Sequence, residues 1–187
     1  MPRNSGEVFD EYLVLAAATG DRAAAAGLVE RWQPRLLRHA RRLLGGSEAA
    51  RDAVQEAWID ILRGLPRLDD PAAFPCWALR ITSRRCQRRA PADRQATEAL
   101  DEDATSALPA DGPADHASGG EQAAELATLQ RAIARLPPLQ QATLALHYLD
   151  GLGVAQIALA MDVPPGTVKT RLMHARRKLR QLLEGAL

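Results

Sequence analysis

Six cations, Lys169, Arg171, Arg176, Arg177, Lys178 and Arg180, fall within twelve residues that hold no acidic side chain. The strongest physical use for charge at that density is phosphate neutralisation with counterion release. Just ahead of and among them stand Pro165, Thr167, Thr170 and His174. Short polar side chains at the start of such a segment are of a size to reach base edges in a major groove. Cations near a helix C-terminus are also favoured by the helix dipole alone. A solvated helix end of that kind leaves the pattern around it without a purpose.

That pattern covers residues 151–183. Val154, Ile157, Ala158 and Met161 recur at spacings of three and four, giving one apolar face of a short helix. Residues 162–166 break it with two consecutive prolines and a glycine. From Thr167 the period resumes, with Val168, Leu172, Ala175, Leu179 and Leu182 on one side and Thr167, Thr170, Arg171, His174 and Lys178 on the other. Two helices across so tight a turn cross steeply, as in a helix-turn-helix.

Two further clusters lie in the first half. Residues 48–64 read as a helix with an apolar stripe, Ala50, Val54, Ala57, Trp58, Ile61 and Leu62, started by Ser47 as its cap. Its opposite face holds Asp52, Gln55, Glu56 and Asp60, which suits either solvent or a basic protein surface. Residues 74–89 combine Trp77, Leu79, Ile81 and Cys86 with Arg80, Arg84, Arg85, Arg88 and Arg89. Rings and guanidiniums together suit a melted strand, because bases stack on the former and phosphates pair with the latter. Trp77 taken alone fits core packing as well.

The elements that carry these clusters are helical. The chain has 187 residues, 47% of them hydrophobic and only 4% aromatic, as Ala/Leu-rich helices rather than strands require. A net charge of +1 hides an asymmetry: residues 1–94 carry 16 Arg and 12 acids, residues 95–125 carry 8 acids and no Lys or Arg, and residues 126–187 carry 8 cations and 3 acids. Residues 10–44 show helical spacing in three runs, around Tyr12, from 23 to 32 and from 36 to 43, with stops at Gly20-Asp21 and Gly45-Gly46. Residues 90–120 lack apolar periodicity and read as a flexible acidic linker. Beyond it, residues 121–136 and 139–149 give two more helices, and the core of this lobe is expected around Leu126, Leu129, Ile133, Leu144, Leu146, Tyr148, Ile157, Val168 and Leu172. The architecture expected is all-α: two small helical domains, 1–92 and 123–187, joined by a flexible acidic linker at 93–122.

These runs carry a family resemblance. Residues 136–141 (LPPLQQ), 148–152 (YLDGL), Ile157-Ala158, 166–172 (GTVKTRL) and Ala175-Arg176 look like the C-terminal DNA-binding region of the extracytoplasmic-function (ECF) RNA polymerase sigma factors. Gly20-Asp21, 34–37 (PRLL), 40–45 (ARRLLG), 52–58 (DAVQEAW) and 65–67 (LPR) are similar to that family's N-terminal region, as are Ala73-Phe74 and 77–81 (WALRI). The resemblance implies a transcription initiation factor that binds core RNA polymerase through the β′ coiled coil and the β flap, binds promoter DNA, and is held inactive by an anti-sigma factor. Carried over by position, Asp52, Gln55, Glu56, Trp58 and Asp60 become the polymerase-binding set, with Trp58 as packing rather than direct contact. Trp77, Arg80, Arg84, Arg85, Arg88 and Arg89 become the −10 set. Pro165, Thr167, Lys169, Thr170, Arg171, His174, Arg176 and Arg177 become the −35 set. The chain departs from the family at four places. Arg84 and Arg88 stand where Asn and Asp are frequent, Asp162 where Gly is common, and Pro164 where a capping hydroxyl is usual.

No nucleophile–base pairing, metal-ligand cluster or glycine-rich phosphate loop is present in the sequence, so no catalytic residue, metal or cofactor is expected. Cys76 and Cys86 match no metal spacing and read as small buried or half-buried thiols. The first twelve residues are polar and acidic, and no apolar run reaches about 18 residues, which points to a cytoplasmic protein without membrane insertion. Two other classes stay open at this stage. A stand-alone regulator would need no acidic docking face, and an enzyme would need a site in the first lobe.

Overall fold

The computed structural model describes residues 5–89 and 120–184, which form eight α-helices and no strand. The expected linker lies outside the described residues except for 120–122, which open a helix instead. In chain order the helices are α1 (Ser5–Ala18), α2 (Arg22–Leu44), α3 (Ser47–Gly64), α4 (Phe74–Arg89), α5 (Gly120–Ala134), α6 (Pro138–Tyr148), α7 (Val154–Met161) and α8 (Pro165–Glu184).

The punctuation of the first lobe follows local chemistry. Gly20 takes φ 98°, and Asp21 caps α2 by accepting hydrogen bonds from the amides of Ala23 and Ala24 at 2.8 and 3.1 Å. Gly45 closes α2 in the left-handed conformation that glycine adopts without strain. Helix α2 is one helix where the sequence pattern gave two runs. Pro34 lies inside it, and the loss of one backbone donor is outweighed because Leu28, Trp32, Leu36 and Ala40 form a continuous buried face on both sides of it. Ser47 is the first residue of α3, not its cap. Gly46 takes the cap position with extended backbone and makes no side-chain bond.

Helix α4 lies against α2, α3 and α7, so its apolar side closes the core of the molecule. Phe74, Ala78, Leu79 and Cys86 are buried, and Phe74 meets the Trp32 ring edge-on at 5.2 Å. Burial pushes the Cys86 thiol up to about 12, which makes it an inert packing group. Trp77 is half-buried, and its six-membered ring presses against Gly64, where a β-carbon would come within 2.7 Å of the ring.

In the second lobe, Gln141 spans the Pro137-Pro138 break. Its amide donates to the carbonyls of Ala134 and Leu136 at 3.2 and 2.8 Å, satisfying groups that the end of α5 leaves open. The core differs from the sequence expectation on α5 and at Tyr148. Ala132 and Leu136 are buried, whereas Leu126, Leu129 and Tyr148 are 52%, 38% and 60% exposed. Helix α5 therefore turns Ala132, and not its leucines, to the buried side. The turn between α7 and α8 is shorter than residues 162–166. Asp162 takes φ 57°, and Pro165 already occupies the first helical position, where its missing N–H costs nothing.

Gly64→Ala should lower unfolding free energy by about 1 to 3 kcal/mol, because the rigid Trp77 ring cannot give way without leaving Phe74. Urea denaturation measures this; an unchanged or higher midpoint contradicts the tight contact between Trp77 and Gly64.

Candidate nucleic-acid interface

The acidic face of α3 and the arginine strip of α4 meet each other. Asp52, Glu56 and Asp60 succeed one another at i, i+4 and i+8, and Arg85 and Arg89 at i and i+4, so the two helices present complementary rows. Arg85 donates to Asp60 at 2.7 Å and to Glu56 at 3.2 Å, and Arg89 donates to Asp52 at 3.1 Å and to Glu56. The Arg89 bond first, and then its charge and that of Arg85, hold the Glu56 carboxyl below the usual range. These pairs are partly exposed, so each is weak alone, and the ladder acts by fixing side-chain geometry. Gln55 stays exposed beside it, and Trp58 is buried, with its indole N–H donating to Gln33.

The other end of the strip is engaged by the second lobe. Arg80 and Arg84 both pair with Asp162, the residue that caps α7. Arg88 is exposed and makes no ion pair among the described residues. Beneath them runs a buried chain of three groups from three helices. Ser83 Oγ donates to the Ala160 carbonyl at 2.8 Å, and so accepts from His39 Nε2 at 2.8 Å. That assignment makes His39 the neutral Nε2–H tautomer. Burial first, then Arg42 and Arg35, pushes its pKa down to about 3. Arg35 adds an interlobe ion pair with Asp150 at 3.0 Å.

On α8 the apolar face is Val168, Leu172 and Ala175, all buried. Pro165, Lys169, Arg176 and Arg177 are exposed on the far side, with Thr167, Thr170, Arg171 and His174 half-buried at its margins. Thr170 donates to the Gly166 carbonyl at 3.1 Å, and Arg176 donates to the Tyr148 hydroxyl at 2.9 Å while lying 5.6 Å above its ring. The helix start thus presents a cationic, hydroxyl-bearing edge of the kind that enters a major groove. Among the described residues no three His, Cys, Asp or Glu side chains gather as metal ligands, and no helix is long and apolar enough to cross a membrane.

The sequence assigned the acids of α3 and the arginines of α4 to different partners without foreseeing that they pair. His39, Ser83, Arg35, Asp150 and Asp162, which join the lobes, drew no functional reading at all. The only available signal was the matching four-residue spacing on α3 and α4, and it becomes legible only once those helices are known to be neighbours.

An all-helical molecule with a basic helix-turn-helix in one lobe and an arginine-lined helix in the other defines a DNA-binding protein of the transcription machinery. Residues 28–94 match the family model for sigma-70 region 2, and residues 126–179 that for sigma-70 region 4. The chain is 30% identical over 175 residues to the ECF RNA polymerase sigma factor SigW of Bacillus subtilis, covering 88% of this chain and 91% of that one. It is 33% identical over 174 residues to the ECF sigma factor SigM of Mycobacterium tuberculosis, covering 93% and 84%. Its fold resembles that of sigma factor RpoE of Bartonella quintana, solved in complex with the anti-sigma factor NepR, with TM-score 0.59 and 20% identity over 83% of this chain and 94% of that one. The chain belongs to the ECF sigma factors, which direct transcription initiation to promoters and carry no catalytic chemistry of their own.

His39 gives this interface a pH signature. Between pH 6.5 and about 3 the unfolded chain binds a proton that the folded chain refuses, so stability falls as pH falls through that window. Relative to His39→Gln, which keeps a donor for Ser83, the native chain should lose about 2 kcal/mol between pH 7 and pH 5. Parallel denaturation profiles for the two proteins would contradict a neutral buried His39.

Proposed function

We propose that the three clusters divide the work of initiation. Asp52, Gln55, Glu56 and Asp60 on α3 dock core RNA polymerase, with Trp58 holding that helix in the core. Trp77, Arg80, Arg84, Arg85, Arg88 and Arg89 on α4 bind the melted −10 strand. Pro165, Thr167, Lys169, Thr170, Arg171, His174, Arg176 and Arg177 on α8 read the −35 element. The two halves, 1–92 and 123–187, act at separate sites with residues 93–122 between them. The observation that carries this reading is the pair of cationic helices, α4 and α8, one in each lobe, with an acidic edge on the neighbouring α3.

Arg84 and Arg88, standing where Asn and Asp are frequent in the family, favour backbone binding over base selection at −10. Arg85 and Arg89 serve the α3 face as well as DNA, since each carboxylate they hold is also one they orient. The B. quintana relative is bound to an anti-sigma factor, and a partner of that class is proposed for this chain. The expected site of action is the cytoplasm, where the polymerase is.

Asp52→Asn with Glu56→Gln removes two of the three charges of the negative face without setting like charges against Arg85 and Arg89. It should weaken capture of purified core RNA polymerase by about tenfold while leaving the duplex affinity of residues on α8 intact. Equal capture by the variant would exclude this face as the dock. Lys169→Ala should weaken promoter binding by about 1 to 3 kcal/mol if it reads a base, or reduce the salt slope by about one if it binds phosphate. Fluorescence anisotropy across a salt series distinguishes the two, and no change in either quantity refutes the assignment of α8.

A further inference from the structure

Helix α7 ends on α4. Its C-cap residue Asp162 places Oδ1 2.7 Å from Nη2 and 2.9 Å from Nε of Arg80, and Oδ2 2.9 Å from Nε of Arg84. One carboxylate thereby holds two guanidiniums from successive turns of α4. Next to it Ser83 Oγ donates to the Ala160 carbonyl, so polar groups at the end of α7 are satisfied by α4.

The identity of residue 162 is not required by the turn. At φ 57° the backbone is left-handed, a conformation glycine adopts freely and Asn adopts as readily as Asp. What only Asp or Glu supplies is the charge.

We propose that Asp162 is an intramolecular clamp that closes the helix-turn-helix lobe onto α4 and masks Arg80 and Arg84 from DNA. The masking rests on the assignment of Arg80 and Arg84 to the −10 strand. The bonds from Arg84 and then Arg80 keep the Asp162 carboxyl below its usual range, so it is fully charged at neutral pH. The side chains of Arg80, Arg84 and Asp162 remain 40%, 51% and 32% exposed. A DNA phosphate can therefore reach the guanidiniums and displace the carboxylate, and the clamp sets a threshold for binding rather than a permanent block.

The test uses the full chain with Asp162→Asn and Asp162→Gly, both of which keep the turn conformation. Small-angle X-ray scattering reports closure, and titration of a short fluorescein-labelled single-stranded oligonucleotide of mixed sequence reports access to the strip. Both variants should show a larger radius of gyration than wild type and bind the oligonucleotide about fivefold more tightly, since apparent affinity scales with the open fraction. An unchanged radius in both variants overturns the clamp. A larger radius with unchanged oligonucleotide affinity overturns the masking. If Arg84→Ala in the Asp162→Asn background then also leaves affinity unchanged, the failure lies in the DNA assignment of the strip and not in the clamp.

Discussion

Helix α4 must satisfy two incompatible demands along sixteen residues, and the rest of the structure follows from how it does so. One side buries Phe74, Ala78, Leu79 and Cys86 among α2, α3 and α7. The other carries five arginines, which desolvation penalises unless each finds an opposite charge or water. Carboxylates arranged at helical spacing on α3 and a single aspartate at the end of α7 supply those charges. The same electrostatics that allow an arginine-dense helix to pack also fix the geometry of its guanidiniums, which the proposed function would offer to a phosphate backbone.

This places the proposed polymerase-facing acids and the proposed DNA-facing Arg85 and Arg89 in one bonded ladder. Asp52 and Glu56 are bonded to Arg89, Glu56 and Asp60 to Arg85, and on the same helix Arg80 and Arg84 are bonded to the second lobe. A protein docked on α3 competes for the acids, and DNA on α4 competes for the arginines. Either encounter alters the electrostatic partners of the other, which is the physical requirement for coupled binding. The buried His39–Ser83–Ala160 chain contributes differently, since it has no charge to exchange and fixes how α7 rests on α2 and α4.

Much of this was legible in the sequence where the signal is local. Gly20-Asp21 and Gly45 end and restart helices because left-handed backbone and side-chain capping are properties of single residues. The apolar periods of α3, α7 and α8 identified most of their buried faces, although Leu62, expected in the α3 stripe, lies at its margin and is 40% exposed. Context overrode local signals elsewhere. Pro34 failed to break α2 because burial on both sides of it outweighs one missing hydrogen bond, and on α5 Ala132 is buried while Leu126 and Leu129 face outward. The ladder between α3 and α4 and the Asp162 contact join residues 25 to 82 positions apart. No periodicity reports such pairings, so residues assigned from sequence to separate partners proved to be partners of one another.

The most direct test of the account is a cryo-electron-microscopy structure of this chain with core RNA polymerase and a promoter fragment. In that complex α3 should be seated on the polymerase, Arg80 and Arg84 should lie on the phosphates of the unpaired −10 strand and be parted from Asp162, and the start of α8 should enter the major groove upstream. A complex in which α7 still rests on α4, with those arginines on Asp162 and the −10 strand held elsewhere, would contradict it.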